Sequence, residues 1–147
     1  IEIEVAAGLP TLVAAGLLLY PPTNFETFKS PVFNIIEMDI KMLGGIKSKK
    51  QYAAFKKKFS PVNMVDDPPP VFLTYSDPDS VVPPGQGREM AAALEAAGAE
   101  FEQYEARGEE LDHAFVIMKP DLPQSKEARR RILSFLEKYL GEETPGG

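Results

Sequence analysis

Cysteine is absent from the 147 residues and histidine occurs once. The first absence excludes disulfide scaffolds, Cys-ligated zinc, iron–sulfur clusters and thiol nucleophiles. The second excludes any site that needs two imidazoles from one chain, and the carboxylates are scattered without ligand spacing, so neither a metal nor an organic cofactor is expected. No glycine-rich phosphate loop follows a strand. Basic residues are outnumbered, Lys+Arg 16 against Asp+Glu 22, for a net charge of −6. A general nucleic-acid binder shows the opposite balance, so no nucleic-acid partner is expected. Long hydrophobic runs are also missing. The longest, Leu12 to Tyr20, is too short to cross a bilayer. The opening Ile-Glu-Ile-Glu lacks the basic n-region of a signal peptide, and the expected compartment is the cytoplasm. The first residue is not Met, which points to a processed chain or a fragment.

What is present is punctuation. Proline occurs 14 times, in clusters such as Pro21-Pro22, Pro68-Pro69-Pro70 and Pro83-Pro84. Proline ends regular elements and biases its predecessor to extended backbone. Three short segments between these clusters read as strands: Leu12–Tyr20, Val71–Tyr75 and Glu100–Glu105. The first two are apolar on both faces, as in a parallel sheet covered by helices, whereas the third alternates and belongs near an edge. Helices are expected over Gln86–Ala97, with Gly98 as a stop, and over Gln124–Leu140, with Asp121 as N-cap and Gln124 closing a capping box. Ser48 and Gln51 give the same signal for a helix from Lys49 to about Lys58. Strands alternating with helices imply right-handed crossovers and an α/β fold with a parallel sheet. The stretch 21–70 is long for a connection and lacks strand signals, as lids and binding loops do.

In such a sheet the loops after the strand C-termini gather on one edge, where ligands bind. The second strand runs into Ser76-Asp77-Pro78-Asp79-Ser80-Val81-Val82-Pro83-Pro84. The third runs into Gly108-Glu-Glu-Leu-Asp-His113-Ala-Phe115. Asp79 and His113 are therefore expected to come from adjacent loops on that functional edge. A buried carboxylate beside an imidazole sets its tautomer and stabilises the imidazolium formed in proton transfer.

The segment Pro69–Pro84 resembles the acid loop of α/β-hydrolase carboxylesterases, an apolar strand followed by His-Gly-x-x-Asp-x-x-Val-Pro. His113-Ala-Phe115 resembles the family's His-Gly-Phe. The stretch Pro120-Asp-Leu-Pro-Gln-Ser-Lys-Glu-Ala128, running into Phe135-Leu136, resembles the closing helix of hormone-sensitive-lipase-like esterases. Gly16-Leu-Leu-Leu-Tyr-Pro-Pro22 resembles the strand after the nucleophile elbow. The resemblance runs from about residue 8 to 140. It implies a partial α/β-hydrolase fold: residues 1–147 as the C-terminal portion, with 21–70 a helical, lid-like insertion. It also implies a carboxylic-ester hydrolase acting on small acyl esters, with Asp79 as acid and His113 as base. Asp77 is a second candidate for the acid, or else caps the turn.

Several departures accompany the resemblance. Tyr75-Ser76 stand where His-Gly is usual, and Glu109, Glu110 and Asp112 replace glycines near the histidine. No Gly-x-Ser-x-Gly and no His-Gly-Gly occur, so the acid and base are here and the nucleophile is not. Ser76 and Ser80 lie closest to the site, but neither sits on a glycine-flanked strand–turn–helix elbow. The alternative is a non-catalytic hydrolase-like module or inactive fragment. Without a neighbouring nucleophile strand, Leu12–Tyr20 presents an apolar edge. A homodimer through that edge, or a partner supplying the other half, is expected unless Ile1–Val5 caps it. Lys47, Lys49, Lys50, Lys56, Lys57 and Lys58 read either as an anion-facing surface or as the solvated side of a lid helix with Tyr52, Phe55 and Phe59 inside. Phe33, Ile36, Met38 and Met42 read equally as acyl-pocket wall or as core.

Overall fold

The computed structural model describes residues 13–30, 34, 37–38, 40–42 and 44–141. The expectations for Ile1–Val5, Phe33 and Ile36 lie outside these residues. In chain order the elements whose bounds fall within these residues are β1 (Gly16–Leu19), α1 (Lys49–Phe59), a 3-10 turn (Pro61–Asn63), β2 (Val71–Ser76), α2 (Gly85–Ala96), β3 (Phe101–Ala106), α3 (Phe115–Met118) and α4 (Pro123–Leu140). The described strands form one parallel sheet in the order β1-β2-β3, with Gly16 opposite Val71 and Val71 opposite Phe101. This is an α/β arrangement with a parallel sheet and flanking helices, as the alternation of strands and helices predicts.

β2 is the centre of the sheet, and all six of its residues are buried. Alternation sends Val71, Leu73 and Tyr75 to one face, where they meet Met90 and Leu94 of α2 and Leu18 of β1. Phe72 points to the other face and packs on Phe135 of α4 at 5.7 Å between ring centroids. Full burial of such side chains stabilises the fold by roughly 1.5–3 kcal/mol each. β3 lies at the sheet edge but does not alternate strictly: Glu102 and Gln103 are both exposed.

β1 differs from expectation. It is shorter than Leu12–Tyr20 and is not covered on both faces. Leu17 and Leu19 share the Phe72 face yet are 38% and 36% exposed, because α4 packs over β2 and β3 instead. Asp121 does not cap α4 either. Leu122 is the N-cap and makes no side-chain cap bond, because leucine carries no acceptor; Pro123, with its φ fixed near the helical value, sets the start of the helix. Gln124 instead donates to the Arg107 carbonyl at 3.0 Å. α1 does start as expected, with the Ser48 side chain accepting from Gln51 N. The Gln51 amide reaches one residue further back than a capping box, to Lys47 N at 2.9 Å.

The long connection between β1 and β2 is tied down at its start. Gln86, at the head of α2 and 3% exposed, accepts through Oε1 from Thr23 N (2.9 Å) and Asn24 N (2.8 Å), and donates through Nε2 to Thr27 Oγ1 (3.0 Å). The next residue must be glycine, because a Cβ on Gly87 would lie 2.2–2.6 Å from three ring carbons of the buried Tyr75. Gly87→Ala is expected to destabilise the fold by about 1–3 kcal/mol through overpacking, despite alanine's better helix propensity. A urea titration checks this, and an unchanged midpoint would count against so tight a contact. Among the described residues, no helix is long and apolar enough to cross a membrane.

Candidate functional site

Parallel pairing brings the ends of β2 and β3 level, with Ser76 opposite Ala106. The loops that follow therefore leave the sheet side by side. In the first, Asp79 is buried at 6% exposure, and its carboxylate is divided between two tasks. Oδ1 accepts from Val81 N (2.9 Å) and Val82 N (2.7 Å), an Asx-type turn that holds the side chain in place. Oδ2 lies 3.0 Å from His113 Nδ1. An ionised carboxylate only accepts, so the imidazole donates from Nδ1 and carries its lone pair on Nε2. The His113 side chain is 34% exposed, whereas that of Asp79 is fully buried.

The second loop turns sharply to present His113. Gly108 has φ +150, and Ala114, directly after the histidine, takes the left-handed conformation at φ 57. Leu111 is buried and anchors the loop between Ala106 and Phe115. Asp112 joins the two loops. Its Oδ1 accepts from Ser80 N (2.9 Å), Ser80 Oγ (2.8 Å) and His113 N (2.8 Å). Its backbone carbonyl accepts from Ser76 Oγ at 3.2 Å.

Asp112 gave one signal in the sequence, a carboxylate where glycine is usual, but no reason for it. The donors from Ser80 N, His113 N and Ser80 Oγ, in that order, hold its carboxyl below the ordinary aspartate value. A depressed native pKa adds stability above the unfolded-state value, and that stability is lost as pH falls through the lowered native value. Asp112→Ala is therefore expected to cost most near neutral pH and least in acid, with a small total because the carboxylate is exposed. Urea midpoints of the two proteins across that range check the trend. A loss independent of pH would remove the charge from the explanation.

Ser76 and Ser80 both direct their hydroxyls to Asp112, and among the described residues no serine hydroxyl bonds the His113 ring. Asp77 neither caps the turn nor faces the imidazole. Its carboxylate pairs with Arg88 Nη2 of α2 at 2.7 Å, and Arg88 also holds Glu105 at 2.7 Å. Sequence reasoning missed Tyr20. Its ring centroid lies 5.4 Å from that of His113, and its hydroxyl oxygen accepts from Val116 N at 2.8 Å. The Tyr-Pro-Pro step marked the end of the first strand but did not show that its tyrosine turns inward.

On α1, Tyr52 is buried and Phe59 is 43% exposed, so the inner stripe is only partly covered. The Lys41 and Lys56 ammonium groups stand 4.3 and 5.1 Å from the Tyr52 ring centroid. A cavity of about 490 Å³ beside them is lined by Glu37, Lys47, Lys49 and neighbours, and by neither Asp79 nor His113. Met38 and Met42 are 62% and 70% exposed, so neither is core.

The fold has counterparts among solved structures. The acetyl ester-xyloside bifunctional hydrolase of Caldicellulosiruptor lactoaceticus matches 85% of this chain at 25% identity with a TM-score of 0.67. A bacterial esterase of the hormone-sensitive lipase family matches 91% at 24% identity and 0.63. A puromycin-hydrolysing peptidase of Mycobacterium tuberculosis matches 90% at 21% identity and 0.61. The chain spans only 42%, 46% and 19% of the lengths of those three proteins. No curated protein matches it significantly. The esterase neighbours share the α/β-hydrolase fold that the acid-loop resemblance implies, and the sequence match covers residues 5–143, nearly the whole chain. By that match the chain belongs to the prolyl oligopeptidase family, peptidase family S9.

Proposed function

We propose that this chain supplies the acid, Asp79, and the base, His113, of a serine hydrolase that cleaves small carboxylic esters. The serine nucleophile and the oxyanion donors come from outside residues 1–147. Residues 1–147 are then the C-terminal portion of the catalytic domain, and 21–70 form its lid-like insertion. The observation that carries this reading is the 3.0 Å contact between His113 Nδ1 and a fully buried Asp79 carboxylate, made by loops that follow adjacent parallel strands.

The chemistry follows from the tautomer. With Nδ1–H bonded to Asp79, the Nε2 lone pair of His113 takes the proton of an incoming serine hydroxyl as its oxygen attacks the ester carbonyl. Asp79 stabilises the imidazolium. That imidazolium then returns the proton to the departing alkoxide, leaving an acyl-enzyme and an alcohol. Water, deprotonated by the same Nε2 as it attacks the acyl carbonyl, releases the acid while the imidazolium returns that proton to the serine oxygen. Peptide or aminoacyl amides are a second reading, favoured by the family match, and differ only in the leaving group that His113 protonates.

Intact-mass analysis after fluorophosphonate treatment tests the proposal. Residues 1–147 alone should stay unlabelled. The chain joined to a segment bearing Gly-x-Ser-x-Gly should take one label, lost in His113→Ala. A label on residues 1–147 alone, mapped to one of their own serines, would overturn the external nucleophile. A folded, joined protein that never labels would leave the non-catalytic module. Parallel assays on p-nitrophenyl esters and aminoacyl amides separate the two substrate classes.

A further inference from the structure

We propose that Tyr20 is a positioning residue for His113: its ring forms the wall against which the imidazole is held, and its hydroxyl secures the turn that carries it. This rests on the reading of Asp79 and His113 as acid and base.

The argument starts from the backbone. Tyr20 follows β1, donates its N–H to the Thr74 carbonyl at 2.9 Å, and sits at φ 53. That left-handed conformation is unfavourable for a bulky aromatic residue and persists only where the surroundings enforce it. Here it turns the side chain inward, to 6% exposure, between His113 and Phe115. The ring meets Phe115 edge-on at 5.5 Å and His113 at 5.4 Å with a 60° tilt. At the far end of the ring, the hydroxyl oxygen accepts from Val116 N at 2.8 Å. Val116 is in the first turn of α3, three residues after His113 and beyond the left-handed Ala114. One side chain thus touches the imidazole and fixes the backbone that aims it, 93 residues away in sequence.

A leucine would fill the space and do neither task. The ring lies within the roughly 6 Å over which an aromatic attracts a cation, so it favours the imidazolium that forms in mid-reaction. The other charged groups at His113 come from its neighbours: Asp79 at Nδ1, and Asp112, which holds its backbone N–H. Burial pushes the Tyr20 phenol up to about 12, opposed by the Val116 N–H and aided by the Asp79 charge. The phenol therefore stays neutral near neutral pH.

His113 is the only histidine, so its imidazole signal in a proton–carbon NMR spectrum of the full chain is unambiguous. In Tyr20→Leu the His113 titration midpoint should fall by about half a pH unit, with loss of the ring-current shift. Tyr20→Phe should keep both, while the Val116 amide exchanges faster. A residue that only fills space would lower stability and leave the His113 midpoint alone, and that result in a folded Tyr20→Leu overturns the proposal. If Tyr20→Leu does not fold, Tyr20→Phe decides: a displaced midpoint, or unchanged Val116 exchange, overturns it. None of these readouts needs catalysis. Failure of fluorophosphonate labelling with the NMR result intact would therefore remove only the hydrolase reading, and the reverse outcome only this one.

Discussion

Asp79→Asn is expected to lower the hydrolysis rate of any form of the protein that contains the serine by about 10⁴-fold, with little change in thermal stability. The reason lies in how the carboxylate is divided. Val81 N and Val82 N both donate to Oδ1, so the asparagine must place its carbonyl oxygen there. Its amide nitrogen then falls 3.0 Å from His113 Nδ1 and donates to it. That bond selects the tautomer with hydrogen on Nε2, the atom whose lone pair the mechanism requires. At 1.36 kcal/mol for each factor of ten, the loss corresponds to about 5.5 kcal/mol of transition-state stabilisation. Steady-state kinetics with a p-nitrophenyl ester give the rate, and thermal unfolding monitors the fold. A folded variant within about tenfold of the parent would remove Asp79 from the mechanism, because a misplaced proton cannot be so cheap. The remaining candidate, Asp77, is committed to Arg88.

The second large effect is on stability. Gln86→Ala removes the acceptor for two main-chain N–H groups, Thr23 N and Asn24 N, and the donor to Thr27. A buried donor stripped of its partner costs about 1–3 kcal/mol; Thr23 N is buried and bears that penalty in full, whereas the part-buried Asn24 N adds a smaller share. Gln86→Met is the discriminating control. It keeps the volume but offers no acceptor, and should be about as damaging as alanine. A methionine that restored the urea midpoint would show that Gln86 acts by packing. Because these bonds join the start of the 21–70 insertion to α2, both variants should also open the Thr23–Thr27 turn to proteolysis before the sheet unfolds.

The local signals that agreed with the structure were those whose physics is short-ranged. The run Val71–Tyr75, apolar on both faces, became the buried central strand, because a sequence without polar alternation has no face to offer water; its one hydroxyl, on Thr74, is satisfied by the Tyr104 carbonyl. Ser48 ahead of Lys49 started a helix, because its hydroxyl satisfies a first-turn N–H from three residues away. Where two local signals competed, the sequence reading chose wrongly. Asp121 was the stronger cap by type, but Pro123, pre-set for the first helical position, sets the helix start so that Leu122 occupies the cap position instead.

That Asp79 and His113 come from adjacent loops was legible because chain direction decides it: parallel strands end on the same side, so the loops after β2 and β3 leave together. What only the tertiary structure decided was what surrounds that pair. Leu17 and Leu19 are half-exposed because α4 lies over β2 and β3, a matter of where one helix docks rather than of the strand's composition. Tyr20 reaches His113 through a left-handed turn that no propensity favours, and Asp112 binds Ser80 across 32 residues. Periodicity and spacing report on neighbours along the chain. Contacts between distant loops arise from packing and from the satisfaction of buried polar groups, and exist only once the sheet has brought those loops together.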